Sequence, residues 1–229
     1  CLHAGARKML AGAGAVVKDE RVKIPRYIVQ ACLDSVPKGW TIYDRNGRRA
    51  MEVEGRKSHY STSTASPNTK DALSGEYHET RVADIAIGAR VADALPNIDF
   101  VMPMGSSQDV DGTVADLYEF EAVAGNTTKP VVFIGYTPTG CEYVFEMAAV
   151  VAGGMAQLRE RPFVMLYPEA ISPFVFPREV VDRIFIAADR FMPQVPGSTA
   201  QPGATSPMTL AGTVVQITAE ALIHIVLAQ

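Results

Sequence analysis

Apolar and polar positions follow two different rhythms along this chain, and the change between them falls near Gly55. Cys1–Ala15 has the pattern of a small-residue helix stopped by Gly12 and Gly14. Val16, Val17, Val22 and Ile24 flank Lys18-Asp19-Glu20, which predicts a short hairpin. Tyr27, Ile28, Ala31, Cys32 and Val36 recur at helical spacing between Pro25, suited to a helix's first turn, and Pro37. Trp40–Tyr43 and Ala50–Glu54 read as two strands joined by a turn at Asp44-Arg45-Asn46-Gly47. Residues 1–57 thus predict a small N-terminal α+β cap.

From residue 58 onward, strand and helix patterns alternate. Strands are expected at His59–Ala65, Phe100–Met104, Pro130–Tyr136, Pro162–Tyr167 and Met192–Ser198. Helices are expected at Arg81–Ala94, Thr113–Ala124, Gly140–Arg159, Arg178–Phe191 and Met208–Gln229. Five β/α units without a clear hairpin are the signature of a parallel sheet. Val131–Ile134 and Phe163–Leu166 are apolar throughout, as strands covered on both faces should be. An open doubly wound sheet and a (β/α)8 barrel both accept this string. The doubly wound dinucleotide fold needs a Gly-rich turn after its first strand, and Ser63-Thr64-Ala65-Ser66-Pro67 is not one. A closed barrel takes about 250 residues and eight units, so a barrel built from residues 58–229 would be cut short. The chain also opens on Cys1 rather than Met and stops inside an apparent helix at Gln229, which reads as a piece of something longer.

Composition narrows the class. With 229 residues, 48% hydrophobic and 20% charged, the chain is neither collagen-like, coiled-coil nor disordered. Cys1, Cys32 and Cys141 are too few and too scattered for a disulfide framework or a zinc site, as expected in a reducing compartment. No apolar run is expected to reach the roughly 20 residues of a membrane span and no signal peptide opens the chain, so a soluble, cytoplasmic protein without a membrane partner is predicted. Residues 1–57 hold 12 Lys and Arg against 6 Asp and Glu, whereas residues 58–229 hold 9 against 19. The basic stretch carries no nucleic-acid recognition motif, and no nucleic-acid partner is expected. The acidic remainder favours a cationic ligand or a basic partner.

In a parallel α/β fold the chemistry gathers where strands end, here Thr64–Asn68, Met104–Asp111, Gly135–Gly140, Tyr167–Pro173 and Ser198–Pro207. None of these holds a GxSxG elbow, a phosphate loop, HExxH or zinc-ligand spacing. His3, His59, His78 and His224 stand singly, and His224, on an apolar helix, reads as a packing or surface residue. Cys141 reads as a buried small residue rather than a reactive thiolate, since Glu142 is beside it. Lys70 is either the Schiff-base lysine of an imine-forming lyase or simply solvated; Lys129 precedes its strand and lies at the wrong end. Glu169, after an apolar strand and Tyr167-Pro168, is either a loop carboxylate meeting water or the counter-charge of a cationic ligand. Tyr60, Tyr136 and Tyr167, in or at the ends of strands, could form an aromatic cage worth about 0.5–2 kcal/mol per contact, or pack the interior, the reading favoured for Tyr60.

Pro202-Gly-Ala-Thr-Ser-Pro-Met-Thr-Leu-Ala-Gly212, followed by Ala219-Glu-Ala-Leu222 and Val226-Leu-Ala-Gln229, resembles the GAT-x-P-x-T-L-AG … AEALAG … LAQ stretch of the trimethylamine methyltransferase (MttB-like) family. Ala92–Ile98, Gln108-Asp-Val110, Leu158–Pro162, Ile171-Ser-Pro173 and, in the cap, Arg21–Pro25 are similar too, so the resemblance spans essentially the whole chain. The resemblance implies a (β/α)8 TIM-barrel fold, truncated here to about five β/α units (58–229) after the cap (1–57). It also implies transfer of a methyl group from trimethylamine or a quaternary amine such as glycine betaine to the cobalt of a cognate corrinoid protein. On that reading no cofactor binds directly and the corrinoid (methylcobamide) comes with the partner; separately, the apolar helix 208–229 leaves room for a homo-oligomer, which is expected. The candidate substrate-binding residues are Glu169, Tyr136, Tyr167 and Tyr60, with Gln201 and Thr205 from the Ser198–Pro207 loop; no metal ligand and no catalytic residue is carried over. The family's pyrrolysine position lies beyond Gln229, and Leu222-Ile-His-Ile225 replaces the more usual Leu-Ala-Gly-Ile, marking a divergent member. The alternative is a truncated or divergent barrel serving as a non-catalytic binding or oligomerisation module.

Overall fold

A computed structural model describes residues 1–229 as a mixed α/β chain with eight helices and short two-stranded sheets. In order, these are α1 (Ala4–Gly12), β1 (Val16–Lys18), β2 (Arg21–Lys23), α2 (Arg26–Ser35), β3 (Gly39–Tyr43) and β4 (Arg49–Glu54). There follow β5 (Asn68–Lys70), β6 (Tyr77–Glu79), α3 (Val82–Ala94), α4 (Ala115–Asn126), β7 (Val131–Phe133), α5 (Pro138–Ala152) and α6 (Met155–Glu160). The chain finishes with β8 (Val164–Leu166), β9 (Glu169–Ala170), α7 (Arg178–Asp189), β10 (Gly197–Ser198) and α8 (Leu210–Ala228). The sheets do not close into a barrel.

Packing divides the chain into two units, Cys1–Pro37 with Tyr167–Gln229, and Lys38–Leu166. The first 57 residues are shared between them, helices α1 and α2 with the β1–β2 hairpin in the first and the β3–β4 hairpin in the second.

In the first unit, Leu10 of α1, Ile28 of α2, Val181 and Ile184 of α7 and Val226 and Leu227 of α8 form one apolar core. The N-terminus is tied down by His3. Its Nδ1 accepts the Ala6 N–H at 2.8 Å as the cap of α1, which leaves Nε2 to donate to Asp182 at 3.0 Å, and its ring meets Phe185 edge-on.

In the second unit the core is built on β7 and β8, parallel and fully buried, with α4 and α5 against β7 and α3 packed on α4. Phe120, Phe133 and Phe145 stack edge to face at 6.2 and 5.2 Å between ring centres. The β3–β4 hairpin joins this unit through the Tyr43 N–H to Pro162 O (2.9 Å) and the Arg45 N–H to Thr128 O (2.8 Å). Successive segments pair in parallel: Ser61 with Phe100, Val101 with Val131, and β7 with β8.

Several expectations are corrected. The first two strands shrink to isolated bridges, because the Thr62 hydroxyl takes both backbone groups of Met102, at 2.9 Å each, where a ladder would run. Met192–Ser198 contributes only β10. A hairpin that alternation did not announce, β5–β6, follows the first strand segment; Asp71 accepts the Leu73 and Ser74 N–H groups and Gly75, at φ 75°, completes the turn. The expected helix 140–159 breaks into α5 and α6 at Gly153-Gly154, with φ of 89° and 138°. Finally, α8 is long and apolar enough by length and composition to cross a membrane, against the sequence expectation. Its buried stripe is nevertheless polar: Gln216, Glu220 and His224, at i, i+4 and i+8, are all under 10% exposed within the first unit. That stripe is satisfied by hydrogen bonds, while Val226 and Leu227 of the same helix enter the apolar core.

Candidate active site

The first unit contains a depression of about 270 Å³ at the ends of its parallel strands β9 and β10, lined by Glu169, Ala170, Ile171, Ser172, Thr199, Gln201 and Thr205. Register places Glu169 opposite Gly197 and Ala170 opposite Ser198. The glycine is needed there, because a Cβ at position 197 would stand 2.6 Å from Cζ of Tyr167. The Tyr167 phenol therefore sits half-buried on Gly197 and beside Glu169. Burial first, then the charge of Glu169 and hydrogen bonding to it, push this phenol up to about 12, so it is a neutral donor at neutral pH. Oε1 of Glu169 is buried and has no hydrogen-bond partner. A buried carboxylate oxygen without a donor is costly, and a cation seated in the depression would relieve it.

The opposite wall is the loop before α8. The Gln201 N–H donates to Thr205 Oγ1 at 2.9 Å, and the Thr205 and Ser206 N–H groups return to Gln201 O at 3.0 Å each. Below the depression lies Glu220, wholly buried. It accepts hydrogen bonds from Ser172 Oγ (2.8 Å), the Phe174 N–H (2.9 Å), Gln216 Nε2 (3.2 Å) and Ser198 Oγ. Burial alone would raise this carboxyl, but these four donors outweigh it and hold its pKa below the ordinary value.

The second unit has its own polar cluster at strand ends. Tyr136 donates its hydroxyl to Glu119 Oε2 at 2.8 Å and meets Ser106 Oγ at 3.0 Å, while Glu119 Oε1 accepts the Ser107 N–H at 2.8 Å. Burial raises the Glu119 carboxyl and pushes the Tyr136 phenol far above its ordinary value. Asp116 accepts the Tyr136 N–H at 2.8 Å and lies so close to α5 that a Cβ on Gly140 would stand 2.2 Å from its Oδ2. A larger depression of about 590 Å³ in this unit, between Arg45 and the helices α4 and α5, is lined mainly by Phe120, Ala124, Met147, Val150 and Val151 and lacks the polar convergence of the first.

Of the sequence's candidates, the fold brings Glu169, Gln201 and Thr205 to one depression with Tyr167 adjoining Glu169. Tyr136 is engaged in the Glu119 cluster, and Tyr60, rather than packing an interior, is 66% exposed. Lys70 lies on β5 with its ammonium 5.7 Å from the Tyr77 ring centre, Lys129 caps the end of α3 through Ala92 O and Leu95 O, and Cys141 is fully buried.

The sequence profile of the trimethylamine methyltransferase (MTTB) family matches residues 1–229, the whole chain. The chain belongs to this family. Trimethylamine methyltransferase MttB of Desulfitobacterium hafniense is 33% identical over 219 residues, which is 95% of this chain and 44% of that protein. The protein of the same name in Methanosarcina thermophila is 29% identical over 231 residues, 98% of this chain and 48% of its length. Glycine betaine methyltransferase of D. hafniense is 25% identical over 217 residues, 94% of this chain and 45% of its length. The chain thus spans less than half the length of these relatives.

Sequence reasoning missed Ser172, Thr199, Gln216, Glu220 and Glu119 as parts of these clusters. One signal was available within the family motif: Glu220 of Ala219-Glu-Ala-Leu222 stands four residues after Gln216 on an otherwise apolar helix. A glutamate in that setting asks for donors.

Proposed function

We propose that this chain is part of an enzyme that removes a methyl group from a methylated amine, trimethylamine or a quaternary amine such as glycine betaine. The acceptor is the cobalt of a corrinoid carried by a separate cognate protein. The architecture in this reading is a (β/α)8-type barrel, with 1–57 as cap and 58–229 as the first five units; the run of parallel pairings between successive segments supports it. The observation that carries the functional reading is the buried, unpartnered Oε1 of Glu169 at a depression of about 270 Å³. That volume suits a ligand of a few heavy atoms and not a corrinoid, so the pocket fits the methyl donor while the acceptor belongs to the partner.

The chain's own groups then bind and aim the substrate. Glu169 neutralises the ammonium charge, the Tyr167 phenol holds the carboxylate in place, and Gln201 and Thr205 shape the facing wall. In the transfer one C–N bond breaks, its electron pair stays on nitrogen, and the methyl joins the acceptor, whose cobalt supplies the nucleophile. Nitrogen loses positive charge along this path. An acidic counter-charge therefore grips the substrate more tightly than the transition state, and Glu169 acts in binding and orientation rather than as a proton carrier. In the full-length protein, Glu169→Gln is expected to raise KM for the amine at least 10-fold with a smaller change in kcat; an unchanged KM would remove Glu169 from the site.

A further inference from the structure

The Glu220–Gln216 pair of α8 touches every wall of the depression without lining it. Ser172 and Thr205 line the cavity directly, and Ser198 precedes the lining residue Thr199. Glu220 takes Ser172 Oγ, Ser198 Oγ and the N–H of Phe174, the residue that closes the tight turn between Ile171 and Val175. Phe174 itself is held at φ 59°, a left-handed conformation that a bulky residue keeps only when its surroundings enforce it. Gln216 Nε2 donates both to Glu220 Oε1 (3.2 Å) and to Thr205 O (2.8 Å), so its amide joins the carboxylate to the remaining wall.

We infer that Glu220 and Gln216 form a positioning strut which sets the spacing of the three cavity walls, and thereby the affinity of the site for its ammonium ligand. This rests on the reading of the depression as the amine pocket. The chemistry calls for a carboxylate and not an amide at position 220. All four partners approach as donors, and a carboxylate offers acceptor positions to all of them. Glutamine keeps the shape, but with its oxygen on the Phe174 N–H and Gln216 Nε2 its NH2 faces Ser172 Oγ and Ser198 Oγ, so both hydroxyls must turn from donor to acceptor and the charge-assisted bonds that hold their walls become weaker, neutral ones. Neither residue touches the ligand, and the strut therefore acts through Ser172, Ser198 and Thr205.

The test uses the full-length protein and tetramethylammonium without the corrinoid partner, so that no methyl acceptor is present, with affinity measured by calorimetry well below each variant's Tm. Glu220→Gln and Gln216→Leu are expected to weaken binding about 10-fold each, and amide exchange at Phe174 is expected to quicken in Glu220→Gln. Glu220→Asp, which keeps the carboxylate, should retain more affinity than Glu220→Gln. If Glu220→Gln does not fold, Gln216→Leu, which leaves the carboxylate in place, decides the matter alone. Unchanged affinity in the folded strut variants, with Glu169→Gln weakened, overturns the strut and leaves the pocket standing. Equal binding by wild type and Glu169→Gln, or none by either, overturns the pocket and the strut with it.

Discussion

Glu169 stood out in the sequence as a carboxylate following an apolar strand and Tyr167-Pro168, open to a loop or a counter-charge reading, and the structure leaves its buried Oε1 without a donor. Its neighbours did not stand out. Glu220 draws donors from Ser172, Phe174 and Ser198, and Glu119 draws them from Ser107 and Tyr136, partners that no local pattern connects. The same logic explains Gly197, which looks like loop filler in the sequence but is the floor on which Tyr167 lies. Gly197→Ala is expected to push that ring aside and cost about 1–3 kcal/mol of stability, read from the denaturant midpoint. A neutral outcome would mean that the ring is free to move. Gly140→Ala is expected to be at least as disruptive, since its methyl would collide with the Asp116 carboxylate, which the Tyr136 N–H holds in place.

At the scale of elements, the helices were read to within a few residues because their apolar period is local, apart from the break at Gly153-Gly154 that divides α5 from α6. The strands were read less well. Parallel strands are defined by partners tens of residues away, and Thr62 shows a side chain replacing the expected ladder. The sequence placed α8 correctly but not its buried polar stripe, since apolar residues outnumber the polar ones that face inward, Thr213, Gln216, Glu220 and His224. This helix contributes a pH dependence to its unit. His224 is buried, and burial lowers it to about 4; Gln194 donates to Ile184 O and accepts from His224 Nε2 at 3.0 Å. The folded state thus keeps this ring neutral while the unfolded chain protonates it below about 6.5. Its contribution is complete above that pH and is lost as pH falls from about 6.5 to about 4, by up to about 3 kcal/mol. Glu220, lowered by its donors, adds stability above the ordinary carboxylate pKa that is lost as pH falls through its folded value. His224→Gln is expected to flatten the fall in denaturant midpoint between pH 6.5 and 4; a curve parallel to wild type would place the pH dependence elsewhere.

At the scale of the whole molecule, composition and rhythm indicated a mixed α/β chain, and the family motif at 202–212 indicated its kinship, which the match over residues 1–229 shows. On the outward side of α8, Leu210, Val214 and Val215 are between 60% and 79% exposed. An apolar helix face of this kind asks for a cover. Residues 1–229 expressed alone are expected to self-associate, and Val214→Lys with Val215→Lys to reduce this in sedimentation; a monodisperse wild-type monomer at high concentration would show that the face needs none. The central claim is methyl transfer from an amine held by Glu169. It is tested most directly by supplying the full-length protein with trimethylamine or glycine betaine and a reduced corrinoid protein, and following methylation of the corrinoid by its absorbance. The account predicts methylation with one of these amines and a rise in KM of at least 10-fold in Glu169→Gln. No methylation with either amine, or a Glu169→Gln variant with wild-type KM, would contradict it.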